Sequence, residues 1–250
     1  MRLENKVALV TGGSTGIGGA IAEALVEAGA AVVVAARREE EGARKAETLT
    51  ARGGRALFVK ADVKDMAACK AMVEAAVGAF GALHIAVNSA GIGRAGKLIA
   101  DEDEGPWQEV IATNLTGAFF SMKHEIPALL ASGGGSIINI ASIGGLIASA
   151  GQSAYQASKH GLLGLTKAAA LEYAGRGLRV NAICPGPVRT DMVKRWFAMP
   201  GVEEKIVGSI PLRRIAEPRE VAMACVYLAS EDAAFVTGSS FVMDGGFVVQ

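Results

Sequence analysis

A single doubly wound parallel α/β sheet with helices on both faces is the fold class this sequence predicts, and three observations predict it. Short apolar runs alternate along the whole chain with stretches of helical periodicity. Glycines punctuate each passage from helix to the next strand: Gly29, Gly53-Gly54, Gly81, Gly133-Gly134-Gly135, Gly175 and Gly177. The segment Lys6–Gly29, KVALVTGGSTGIGGAIAEALVEAG, reads as strand, tight glycine turn and helix.

That first unit organises the rest. Val7–Val10 is continuously apolar, as a strand buried on both faces must be, and Ile17, Ile21, Ala24, Leu25 and Ala28 recur at helical spacing beyond it. The turn between them places backbone N–H groups and the positive helix end at the carboxyl edge of a buried strand, where a pyrophosphate can sit. Its glycines, Gly12, Gly16 and Gly18, are spaced G-x-x-x-G-x-G and not G-x-G-x-x-G, and by themselves also fit a plain structural turn.

Further strands are expected at Ala31–Ala35, Ala56–Val59, Ile85–Asn88, Ser136–Ile140, Arg179–Ile183 and Ser240–Met243. Helices are expected at Glu39–Ala51, Asp65–Ala79, Pro106–Leu130, Tyr155–Ala174 and Pro218–Ser230. Acidic Asp101–Glu104 precedes the third of these, where negative charge favours the helix dipole. One region departs from the rhythm: residues 187–217 carry prolines and bulky side chains after a late strand. Material inserted there lies over the carboxyl edge of an open sheet, so we read it as a small substrate lid on one domain spanning residues 1–250.

Composition narrows the function. The chain is 51% apolar and 20% charged, with Lys plus Arg and Asp plus Glu at 25 each, so no positive excess recommends nucleic acid or an anionic membrane as partner. The N-terminus lacks a signal peptide's apolar region and no later run reaches spanning length, and the chain is expected in the cytoplasm. Cys69, Cys184 and Cys225 are scattered, as are His84, His124 and His160, and neither set has metal-ligand spacing; no metal is assigned.

Chemistry centres on Ser142, Tyr155 and Lys159. Tyr155 and Lys159, at i and i+4 on an expected helix, share one face, and Ser142 closes an apolar strand. A neighbouring ammonium is expected to stabilise a phenolate and bring it toward general acid–base use. Spacing alone favours a helix with one solvated lysine and one half-buried tyrosine.

The whole chain, however, resembles a short-chain dehydrogenase/reductase of the typical 250-residue kind. T-G-x-x-x-G-I-G stands at Thr11–Gly18, N-x-A-G at Asn88–Gly91, Y-x-x-x-K at Tyr155–Lys159, P-G at Pro185-Gly186 and D-G-G at Asp244–Gly246. The resemblance implies a Rossmann fold and an NAD(P)-dependent oxidoreductase that interconverts a ketone and a secondary alcohol. It implies Tyr155 as general acid/base, Ser142 as donor to the reacting oxygen, Lys159 as holder of the nicotinamide ribose, and Asn114, through a helix kink and a bound water, as a link from Lys159 to solvent. Cofactor residues implied are Gly12, Ser14, Thr15, Gly16, Ile17, Gly18, Arg37, Arg38, Asp62, Val63, Asn88, Ala90, Gly91, Tyr155, Lys159, Pro185, Gly186, Val188 and Thr190.

The substrate pocket is expected to include Ser142, Leu146, Gln152, Tyr155, Pro187, Met192 and Trp196, with Ile143, Ile147 and Phe197 nearby; its apolar cast favours a hydrophobic ketone or alcohol. NADP(H) is the expected cofactor, with NAD(H) possible. Where NAD-preferring enzymes of this architecture place Asp, ~20 residues past the glycine turn, this chain has Ala36, followed by Arg37 and Arg38, which suit a 2′-phosphate. Relatives of this kind are commonly homotetramers, and the same is expected here. A 3-oxoacyl carrier-protein reductase, an NAD-dependent sugar or cyclic-alcohol dehydrogenase and a non-catalytic NADP(H)-sensing regulator stay open. Enoyl reductases fit less well, since they place more residues between Tyr and Lys.

Overall fold

The computed structural model describes residues 2–93, 97–191, 193 and 199–249. The chain runs β1 (Val7–Thr11), α1 (Gly16–Glu27), β2 (Ala31–Ala36), α2 (Glu39–Ala51), β3 (Arg55–Lys60), α3 (Met66–Phe80), β4 (Ile85–Asn88), α4 (Glu104–Ile111), α5 (Gly117–Ala131), β5 (Gly135–Ile140), α6 (Ser153–Tyr173), β6 (Leu178–Pro185), α7 (Val202–Gly208), α8 (Pro218–Ala229) and β7 (Ser240–Met243). All seven strands form one parallel sheet in the order β3-β2-β1-β4-β5-β6-β7. Strand order reverses between β1 and β4, and ligands of open α/β sheets bind at that switch, outside the carboxyl ends.

The central strands β1, β2, β4, β5 and β6 are buried on both faces, which is why they read as apolar runs, whereas edge strands β3 and β7 are partly exposed. Along β2, Val32 and Val34 join the core under α1 and α8, and Val33 joins the opposite core with Met72 of α3 and Leu129 of α5. Each such fully buried side chain contributes roughly 1.5–3 kcal/mol relative to exposure. Helix ends follow local chemistry. Asp65 caps α3 by accepting from the Ala67 N–H at 2.8 Å, and Gly81, at φ 84°, ends it in the left-handed region that a side chain would strain.

The expected helix over Pro106–Leu130 starts earlier, at Glu104, and is not continuous. Residues Ala112–Thr116 form a π turn between α4 and α5. The extra residue in that turn lets Asn114 leave the regular helix face, and its side chain makes the tertiary hydrogen bonds described below.

After β6 the chain leaves the sheet and comes back. Val188 and Ala216 form a parallel bridge, with Arg189 N–H donating to Ala216 O at 2.9 Å and Ala216 N–H donating to Pro187 O at 3.1 Å. The Arg189 guanidinium then reaches Glu203 on α7 at 3.0 Å and Glu217, just before α8, at 3.3 Å. Asp244, after β7, packs under the turn at Gly186, where an added Cβ would stand 2.9 Å from Asp244 Cα.

Candidate active site

A cleft of about 310 Å³ opens along the carboxyl ends of the strands. Its floor is the glycine turn after β1. Gly12 and Gly16 sit at φ 65° and 57°, and a Cβ on Gly18 would lie 2.3 Å from the Gly12 carbonyl oxygen, so side chains are excluded by both conformation and contact. The end of β2 supplies Ala36, Arg37 and Arg38, and Asp62 and Val63 follow β3. Ala90 and Gly91 follow β4, Ser142 follows β5, and Pro185, Gly186, Val188 and Thr190 come from the end of β6. Ser14, Thr15, Ile17, Tyr155 and Lys159 complete the expected residues that line it.

Asn88 lies elsewhere. Its amide is buried beneath the cleft, donating to Glu125 at 3.0 Å and to Asn139 at 3.1 Å. Gln152 stands with Tyr155 in a small adjoining recess beside Glu102 and Pro106. Leu146 and Pro187 are not among the cleft residues, and Met192, Trp196 and Phe197 lie outside the described residues. Thr113 was not legible as a lining residue, because a regular helix would have turned it elsewhere; its hydroxyl is buried, unpartnered and on the cleft wall.

Four side chains converge at one end of the cleft. Ser142 Oγ accepts from the Gly144 N–H at 3.0 Å, which fixes its rotamer, and it hydrogen-bonds Tyr155. Lys159 is buried, with Nζ 5.7 Å from the Tyr155 ring centre and donating to Ile140 O at 2.8 Å. Asn114 is clamped by Ile92: its Oδ1 accepts from the Ile92 N–H at 2.8 Å and its Nδ2 donates to Ile92 O at 2.9 Å. Nδ2 also donates to Ser158 Oγ at 3.2 Å, and Ser158 donates to Tyr155 O at 2.6 Å.

The expected lowering of the Tyr155 pKa is not what these groups produce. Burial pushes the phenol up, and the Ser142 hydrogen bond only opposes it. The same burial pulls Lys159 down to about 8. Desolvation outweighs the attraction between ammonium and phenolate at this separation.

The other end of the cleft is basic. Ala36 leaves no carboxylate there, and Arg38 Nη2 donates to Thr15 Oγ1 at 3.0 Å while pairing with Glu41 at 2.8 Å. The Arg38 guanidinium thus stands beside Thr15 and shares its charge with the Glu41 carboxylate. These residues fit a dinucleotide. The glycine cradle excludes side chains at Gly12 and Gly18, and Thr113 presents an orphan hydroxyl. Among the described residues no cluster of His, Cys, Asp and Glu has metal-holding geometry, and no helix is long and apolar enough to cross a membrane.

Comparison with known proteins agrees with this geometry. The family model described as enoyl-(acyl carrier protein) reductase matches residues 12–248. The cyclohexanol dehydrogenase of Acinetobacter sp. (strain SE19) is 44% identical over 249 residues, covering 98% of this chain and 96% of the relative. The A-factor type gamma-butyrolactone 1'-reductase (1S-forming) of Streptomyces virginiae is 45% identical over 249 residues, covering 99% and 97%. A crystal structure from Sinorhizobium meliloti 1021, described as a short-chain alcohol dehydrogenase, superposes with a TM-score of 0.95 at 38% identity, covering 99% of this chain and 98% of that one. With one parallel sheet, a glycine-floored cleft at its switch point and relatives matched end to end, the chain belongs to the short-chain dehydrogenase/reductase family and is an NAD(P)-dependent oxidoreductase acting on CH–OH groups.

Proposed function

We propose that the protein is an alcohol dehydrogenase that interconverts a cyclic or ring-bearing secondary alcohol and its ketone, preferring NADP(H), with Tyr155 as general acid/base. The observation that carries this reading is the meeting of Tyr155, Ser142 and Lys159 at one end of the cleft. When bound, the nicotinamide supplies or accepts the hydride. Tyr155 Oη gives its proton to the carbonyl oxygen in reduction and takes it back in oxidation, and Ser142 Oγ donates a hydrogen bond where negative charge develops on that oxygen. Lys159, buried and pulled down to about 8, holds the ribose side of the cofactor and returns a proton toward Tyr155. Asn114, held by Ile92 and Ser158, keeps the wall behind Lys159 in place.

Substrate class rests on the relatives named for cyclohexanol and for a gamma-butyrolactone, with residues 187–217 as lid. Enoyl reduction fits less well, because only three residues separate Tyr155 from Lys159. Arg37 and Arg38 with Ala36 favour NADP(H), and Thr113, Ala90 and Asp62 belong to the adenosine side.

The partner is a second copy of the chain, in a homotetramer of two-fold symmetry. Met122, Leu162 and Leu163 on the same helices are buried in the core. Phe119 on α5, Leu171 on α6, and Phe235, Val242 and Val249 around edge strand β7 stay exposed.

The test is turnover of NADP+ and NAD+ against cyclohexanol, substituted cyclohexanols, lactone-bearing alcohols, sugars and aliphatic alcohols, and of NADPH against the matching ketones and acetoacetyl thioesters. Turnover of the cyclic alcohols above the rest is the expected result. A preference for thioesters or sugars overturns the substrate class.

A further inference from the structure

Beneath the cleft runs a second set of polar side chains that hydride transfer does not use. Asn88 on β4 and Asn139 on β5 are paired in register across the sheet. Asn88 Nδ2 forks, donating to Asn139 Oδ1 at 3.1 Å and to Glu125 Oε2 on α5 at 3.0 Å. Asn139 Nδ2 donates onward to Thr166 Oγ1 on α6 at 2.9 Å, and Thr166 donates to Leu162 O at 2.7 Å. All four side chains are buried, Glu125 and Asn139 completely.

Each element that this ladder joins carries part of the active site. β4 leads into Ala90 and Gly91, β5 into Ser142, α5 continues from the π turn holding Asn114, and α6 bears Tyr155 and Lys159, with Thr166 two turns beyond Lys159. Buried polar groups cost free energy unless paired, so a ladder of this kind constrains the relative positions of the elements it spans.

Glu125 is the unusual rung. One of its oxygens accepts from Asn88 and the other, like Asn88 Oδ1, has no partner. The groups beside it are the neutral amide of Asn88 from the sheet and the Cys69 thiol from α3, with Ser121, in contact with that thiol, one turn back on its own helix. Among the described residues no cation pairs with it. An ionised carboxylate in that setting is left with one amide to offset its desolvation. Burial accordingly pushes the carboxyl up to about 8, with only the Asn88 hydrogen bond opposing.

We propose that Glu125 is a positioning residue, held as a neutral carboxylic acid, that closes the Asn88–Asn139–Thr166 ladder and through it sets the strand bearing Ser142 against the helix bearing Tyr155 and Lys159. Its proton is taken up on folding. Between the ordinary carboxyl value of 4.5 and about 8 the folded chain binds one proton more than the unfolded chain. Stability from this group is therefore full below 4.5 and is lost as pH rises toward 8.

Two variants test this. Glu125→Gln replaces a neutral acid by an isosteric neutral amide, so its Tm relative to the unmodified protein should climb by about 5 °C or more from pH 5 to pH 8 and level off above. Parallel Tm curves, or a Gln variant that does not fold, would overturn the neutral acid. Thr166→Val removes the far rung without touching the cleft. It should lower kcat on cyclohexanol about tenfold and leave the Kd for NADPH and NADH, read by fluorescence, within twofold. An unchanged kcat with the ladder broken would overturn the positioning role, as would a loss confined to cofactor affinity. The role rests on the proposed alcohol dehydrogenase activity, and the Tm comparison does not. Absence of turnover on cyclohexanol by the unmodified protein defeats the substrate reading and leaves the carboxyl open to the Tm test.

Discussion

Lys159 Nζ donates to the carbonyl oxygen of Ile140 at 2.8 Å, tying the helix of the active site to the strand that delivers Ser142. That bond is made by a buried ammonium whose pKa is pulled from 10.5 down to about 8. Between those two values the unfolded chain holds one proton more than the folded one, so the deficit from burying this charge is full below pH 8 and vanishes toward pH 10.5. Lys159→Met is expected to show a Tm advantage over the unmodified protein that shrinks as pH rises through this window, and to lose turnover. Thermal melts from pH 7 to 10.5 check the slope; an advantage that widened with pH would contradict the buried ammonium.

Tyr155→Phe keeps the ring and its packing and removes only the transferable proton. Turnover should fall at least ~100-fold with cofactor affinity preserved, the span expected when a general acid is removed. A Phe variant keeping a tenth of kcat would show that another group is the acid.

Gly18→Ala puts a Cβ 2.3 Å from the Gly12 carbonyl oxygen, a backbone atom that cannot swing aside. The expected cost is about 1–3 kcal/mol of stability together with weakened binding of either cofactor. Denaturant melts and cofactor titration give both numbers, and a variant that matched the unmodified protein would mean the glycine turn is not the tight floor described.

Cofactor choice should follow charge at the end of β2. The unmodified protein is expected to have a lower KM for NADP(H) than for NAD(H), and the double change Ala36→Asp, Arg37→Ile to reverse the order, because a carboxylate repels a 2′-phosphate and accepts from ribose hydroxyls. Arg38→Ala, which frees Thr15 and Glu41 of their shared guanidinium, should raise the KM for NADP(H) more than that for NAD(H). Steady-state kinetics with both cofactors decides it.

The exposed Phe119, Leu171 and Phe235 predict self-association. Light scattering at micromolar concentration should return the mass of four chains, and Phe235→Glu should lower it. A monomer mass for the unmodified protein would remove the tetramer from the reading.

Much of this was legible beforehand because parallel strands and their helices obey strong local rules. Val7–Val10 announced a strand buried on both faces, and the glycines after it announced a turn that no side chain could share. Other features depend on contacts far apart in sequence. The resemblance implied a helix kink at Asn114, and the π turn stands there; the letters EVIATNLTGAFF alone do not mark it, since the side chain's partner is the Ile92 backbone 22 residues away. Asn88 sits in a motif that reads as cofactor-binding, yet its partner Glu125 lies 37 residues away and turns its amide inward. The tyrosine pKa went the other way because burial depth is a property of the assembled fold.

The bridge between Val188 and Ala216 fastens the two ends of the intervening excursion to each other. Arg189 adds a second fastening on either side, to Glu203 and Glu217. Loop-closure entropy rises only slowly with length once the ends are fixed. With both ends pinned, a change of length or sequence in the middle of the stretch need not re-lay β6 or move Tyr155, so substrate range is open to alteration there while the chemistry stays where it is.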